Sequence, residues 1–162
     1  MLLTSARIQS ASRICRFNGW TTRPYSILEH SIIGTRVLAE IGATPDLQKA
    51  FLLHDLEETE FSDMITPHKR KYMNAQYFAD VEEWERDLCA EVRLPYSTLT
   101  DPDVKFIDGL MADVESHTIS MCEWRGDLQP IPATDVAFRL ILSREHAGHG
   151  QQDQWWNLYD NL

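Results

Sequence analysis

His54 and Asp55 stand side by side at the end of an apolar run, Leu52-Leu53-His54-Asp55-Leu56-Glu57-Glu58, with Asp63 a few residues on. A buried imidazole next to a buried carboxylate needs a partner, because unpaired interior charge is costly. A divalent metal is one such partner, and neutral imidazole with ionised carboxylate is a common ligand mix for transition metals. A His-Asp pair alone arises by chance in many chains, so the other groups facing the same interior decide its meaning.

Three helices must position those groups. Ser26-Ile27-Leu28-Glu29 has the form of a capping box, which predicts a helix from Ile27 to about Gly42. His30, Ile33, Gly34, Val37 and Ile41 share one face of it, so His30 points inward from the first turn, either as a satisfied core histidine or as a ligand. Thr44-Pro45 starts a second helix, on which Leu47, Ala50, Phe51, His54 and Glu58 form one stripe. Glu58 is then one turn beyond His54, and Asp55 projects about 100° round from it. Glu57 and Glu60 are expected in solvent, with Asp63 in the following loop. Asp101-Pro102 starts a third helix, running to about Trp124, with Val104, Asp108, Met111 and Glu115 facing inward. Buried carboxylates are almost always paired, which makes Asp108 a candidate ligand beside His30, His54 and Asp55.

The remaining elements read as helices too. They cover residues 3–13, a basic turn from Thr66-Pro67 through Lys71, residues 74–92 and residues 134–146, followed by an aromatic C-terminus from Trp155 to Tyr159. His146 and His149 lie among glycines and are expected in an exposed loop. Without repeats or Gly/Ser linkers, residues 1–162 read as one domain, an all-α bundle of about seven helices around the site.

Composition narrows the function. The content of 43% hydrophobic and 25% charged residues is that of a soluble globular chain. No apolar run approaches the roughly 20 residues that span a bilayer, so no membrane partner is expected. Three cysteines without C-x-x-C spacing suggest a reduced, cytoplasmic protein. A net charge of −10 argues against a nucleic-acid polymer as partner. Residues 1–36 nevertheless carry five arginines against Glu29 alone. A local basic patch of this kind suits a small anion, unless those arginines are solvated or paired with the acidic remainder. The loop Cys15–Tyr25 combines Arg16 and Arg23 with Phe17, Trp20 and Tyr25. That mixture fits recognition of a phosphate and a base, or a lid over the core.

Taken in order, the stretches Arg16-Phe17-Asn18-Gly19, Tyr25-Ser26-Ile27-Leu28-Glu29-His30-Ser31, Leu53-His54-Asp55-Leu56-Glu57-Glu58 with Asp63, and Val104-Lys105-Phe106-Ile107-Asp108 resemble the HD-domain phosphohydrolases. The likeness is to their small single-domain nucleotide hydrolases, and it covers residues 16 to about 115. The resemblance implies one divalent metal held by His30, His54, Asp55 and Asp108. It implies that Glu58 orients or deprotonates the attacking water, that Asp63 assists proton transfer, and that Arg16 holds phosphate. Only His68 lies where two-metal relatives carry further histidines, which implies one ion. Two imidazoles with two carboxylates suit Mn, Fe, Co, Ni or Zn, and suit Mg less well.

Arg16, Arg23, Lys69 and Lys105 are candidates for the non-bridging phosphate oxygens. The cations Arg23, Lys69, Arg70, Lys71 and Lys105 favour a dNTP triphosphohydrolase over a 5′-deoxynucleotidase acting on monophosphates. The compact chain also resembles the phage-encoded dATP triphosphohydrolases, and Trp20 is a candidate for packing against the base edge, where it could exclude a 2-amino group. A non-catalytic nucleotide sensor is the alternative of another class. The aromatic C-terminus and these relatives suggest a homo-oligomer.

Overall fold

The computed structural model describes residues 1–62, 66–148 and 150–162. Among them the regular structure is helical. The elements are α1 (Ser5–Ala11), α2 (Ile27–Glu40), α3 (Pro45–Leu53), α4 (Glu58–Phe61), α5 (Thr66–Tyr72), α6 (Ala75–Val92), α7 (Tyr96–Leu99), α8 (Pro102–Thr118), α9 (Pro132–Ser143) and α10 (Gln151–Asp160). The expected all-α bundle is observed, with more pieces than expected. The helix predicted from Thr44 to Glu58 is broken into α3 and α4, α7 is an additional single turn, and the aromatic C-terminus is itself helical. No helix is long and apolar enough to cross a membrane.

The start signals act as their chemistry dictates. Ser26 accepts the Glu29 N–H at 3.1 Å, and Thr44, Asn74 and Asp101 cap α3, α6 and α8 in the same way. The reciprocal half of the capping box does not form, because the Glu29 carboxylate is taken by Arg23 and Gln151.

Helix α2 is the centre of the molecule. Every side chain from Ile27 to Thr35 is buried, which a helix can achieve only when neighbours cover all its faces. Those neighbours are α1, α3, α8, α9 and α10. A close approach occurs at Gly34, where a Cβ would lie 2.0 Å from Phe51 Cε1. Phe51 is fully buried and packs against His54 with ring centroids 4.3 Å apart and the rings tilted by 40°, so its ring cannot retreat. Gly34→Ala should therefore destabilise the protein by about 1–3 kcal/mol through overpacking. That is a Tm loss of roughly 2–4 °C per kcal/mol, measurable by calorimetry.

Three expectations about the second half are corrected. Helix α8 stops at Thr118, not near Trp124, because the loop before α2 pairs with its end. The Thr22 N–H donates to Ile119 O and the Met121 N–H to Trp20 O, which draws the chain out of the helix. His146 is buried and bonds Gln154 through Nδ1 at 2.7 Å, so it is not in an exposed loop; His149 lies outside the described residues. Trp155 is fully buried, donates to Leu52 O and stacks on Tyr159. The aromatic tail is therefore packed internally, which removes one of the two grounds for expecting a homo-oligomer.

Candidate metal centre

Helix α3 ends at Leu53, and His54 to Glu57 continue as tighter turns. Leu56, Glu58 and Thr59 donate three residues back, to Leu53, Asp55 and Leu56. Three-residue bonding turns each side chain further round than an α-helix does. Glu57, expected in solvent, is carried inward with Glu58, and both are buried. The His54 ring fixes this turn, its Nδ1 lying 2.6 Å from Phe51 O.

His30 from α2, His54 and Asp55 from this turn, and Asp108 from α8 converge, each with a ligand atom within 4.8 Å of the others. His54 Nε2 lies 3.1 Å from Asp55 Oδ1 and 3.6 Å from Asp108 Oδ1; His30 Nε2 lies 3.2 Å from Asp108 Oδ1 and 3.8 Å from Asp55 Oδ2. Despite this closeness, both Nε2 atoms are buried and neither makes a hydrogen bond of good geometry. Four donors turned toward a common point, with two imidazole nitrogens unsatisfied, are what a transition-metal ion completes.

The outer nitrogens of both rings are held. His30 Nδ1 lies 2.6 Å from Glu115 Oε1 and His54 Nδ1 bonds a backbone carbonyl, an arrangement that fixes the tautomer with Nε2 facing the site. Glu115 is completely buried on α8, accepts from Tyr25 Oη at 2.8 Å and pairs with Arg16 Nε at 3.1 Å. Sequence reasoning placed it on the inward stripe without a role. Its spacing of seven residues from Asp108, two turns along one helix face, was the available signal. Glu115→Gln should lower metal affinity by about 10–100-fold, as expected for loss of an outer hydrogen bond to a metal-ligating histidine. Chelator-competition titration would read the change.

Electrostatics favour a cation in the centre. Burial pushes the His54 imidazolium down, but Asp55 and Asp108 outweigh it and raise its pKa to about 10. Burial and Arg16 also oppose charge on His30, yet Glu115 and Asp108 raise it. The Asp108 carboxyl is held well below its ordinary range, with both imidazoles outweighing burial. Without an ion in the centre, a proton on His54 supplies positive charge that Asp55 and Asp108 demand.

The other expected site residues divide. Arg16 is nearly buried, with Nη1 on Asp55 Oδ2 at 3.1 Å and Nε on Glu115. It immediately precedes a turn in which Phe17, Asn18 and Gly19 all have left-handed backbone (φ 54°, 52° and 76°), a conformation costing roughly 1–2 kcal/mol at each non-glycine residue. Glu58 lies 3.3 Å from Lys69 Nζ. It also lines a cleft of about 390 Å³, flanked by Cys15, Asn18 and Gly19 on one side and by Thr59 and Ser62 on the other. Arg23, expected at the phosphate, instead forms a two-pronged pair with buried Glu29 at 2.6 and 3.0 Å. Lys69 is likewise engaged by Glu58, while Trp20 and Lys105 are exposed. Asp63 lies outside the described residues.

No family model matches the chain. It is similar to the uncharacterized protein YfdR of Escherichia coli K12, at 26% identity over 143 residues that cover 85% of this chain and 74% of YfdR.

Proposed function

We propose that this chain is a metal-dependent phosphohydrolase of deoxynucleotides. The observation that carries the reading is the convergence of His30, His54, Asp55 and Asp108 on one point, next to buried Glu58 and an open cleft. A bound divalent ion would supply charge neutralisation at the phosphoryl oxygens and acidify a water. In this reading Glu58 takes that water's proton. Arg16 has Nη2 without an acceptor among the described residues, which leaves it able to contact one phosphate oxygen while Nε and Nη1 keep it in register.

The phosphate count follows from the cations that are free to serve. The triphosphate expectation counted Arg23 and Lys69, and both are committed to carboxylates. A deoxynucleoside monophosphate, hydrolysed to nucleoside and phosphate, is the substrate this arrangement fits best. A dNTP, dATP first among them, is the second reading. It is favoured by the exposed cations Arg70, Lys71 and Lys105, and it requires Lys69 to leave Glu58.

Metal-stripped protein reconstituted with Mn²⁺, Co²⁺ or Zn²⁺ should be offered dAMP, dATP and dGTP, with products separated by chromatography. Release of phosphate from dAMP supports the first reading, and release of triphosphate from dATP the second. If no nucleotide is turned over with any of these metals, the hydrolase reading fails and a sensor remains. Equal turnover of dATP and dGTP would remove Trp20 from base selection.

A further inference from the structure

Beside the metal centre lies a second carboxylate group. Asp55, Glu57 and Glu58 each present an oxygen within 4.8 Å of the others. Glu57 is only 8% exposed, and its Oε2 is enclosed without a hydrogen-bond partner. The cation at this group is a side chain of the protein: Lys69 Nζ, 3.3 Å from Glu58 Oε1 and 4.0 Å from Glu57 Oε1.

Charge counting shows what the lysine does. Among the described residues, Asp55, Asp108, Glu115, Glu57 and Glu58 are five carboxylates against the two fixed cations Arg16 and Lys69, a net −3. One divalent ion with neutral imidazoles leaves −1. Without the lysine charge the same count leaves −2, which is the charge of one further divalent ion. Three carboxylates with no nitrogen donor form an oxygen-only set, suited to Mn²⁺ or Mg²⁺.

We propose that Asp55, Glu57 and Glu58 form a second cation site whose resident charge is the Lys69 ammonium, and that this lysine keeps the centre to a single metal ion. The proposal rests on the metal-centre reading above, and it adds why a site so rich in carboxylates holds one ion. Lysine suits the role as a compact point charge on a flexible stem, which occupies the position without demanding coordination geometry.

Metal-stripped wild type, Lys69→Met, Lys69→Arg and the double variant Lys69→Met/Glu57→Gln should be equilibrated with Mn²⁺ and their bound metal counted by plasma mass spectrometry. The expected content is about one ion per chain in wild type and Lys69→Arg, about two in Lys69→Met, and about one again in the double variant. Two Mn²⁺ ions sharing Asp55 should also give an exchange-coupled electron paramagnetic resonance spectrum in Lys69→Met alone. Lys69→Gln replaces it if Lys69→Met fails to fold by circular dichroism. One ion in a folded charge-deleted variant overturns the proposal while leaving the metal centre intact, and two ions in wild type overturn it equally. No ion in wild type but one in Lys69→Met, lost again with Glu57→Gln, would support the second site and sink the His30–His54 centre. No ion in any variant would sink both.

Discussion

Replacing Glu58 by glutamine is expected to lower turnover by about 10²–10⁴-fold while leaving the metal content of the protein unchanged. Glu58 is not among the four converging ligands, so its loss should not release the ion. What glutamine lacks is a basic oxygen. Glu58 is 6% exposed, with one oxygen 3.3 Å from Lys69, and it borders the cleft through which a substrate would approach. Glutamine keeps the volume of the side chain and its ability to accept a hydrogen bond, but it cannot take a proton from water at neutral pH. Steady-state rates on dAMP and dATP, measured with metal analysis of the same samples, check the result. Unchanged turnover in a metal-replete variant would exclude Glu58 as the base. Normal nucleotide binding with no turnover, in wild type and variant alike, would favour the sensor.

Metal affinity should rise steeply with pH, by roughly 100-fold between pH 6.5 and 8.5 from His54 alone. The sign follows from the carboxylates. In the metal-free protein Asp55 and Asp108 raise His54 to about 10, above the unfolded value of about 6.5. Over this range the ring therefore carries a proton that must leave before Nε2 can bind an ion, and each unit of pH relieves that competition about tenfold. His30, also raised, steepens the dependence. Stability of the metal-free form moves the opposite way. The contribution of protonated His54 is fully present below the unfolded value of about 6.5 and is lost as pH rises through about 10. Stripping the metal should thus cost least stability in mild acid and most in alkali. Calorimetric titration with Mn²⁺ in buffers of different ionisation enthalpy would count the protons released. An affinity independent of pH would mean that the rings are already neutral and the centre is not organised as described.

Local chemistry made most of the helices readable before any coordinates. Ser26, Thr44-Pro45, Asn74 and Asp101-Pro102 cap helices within one residue of where they were expected, because a cap is a contact between near neighbours in the chain. His30, His54, Asp55 and Asp108 could be chosen from spacing for a related reason: a polar group on an apolar stripe is visible as a break in periodicity. Glu57 and the end of α8 could not. The first depends on a tightening of one turn after Leu53, and the second on a loop from residues 20–22 that bonds Ile119 O and the Met121 N–H just beyond α8.

The partners of the cations were equally hidden. Arg23 and Glu29 are near neighbours, but nothing in their spacing distinguishes a carboxylate that caps its own helix from one that turns to an arginine and to Gln151, 122 residues away. Glu115 became a clamp for His30 only because α2 and α8 pack side by side. Sequence alone thus determined which side chains could serve a metal, since residue type and helical period settle chemistry and facing. Tertiary packing decided which charges remain free to act, since pairing of buried ions depends on distances that no local rule encodes.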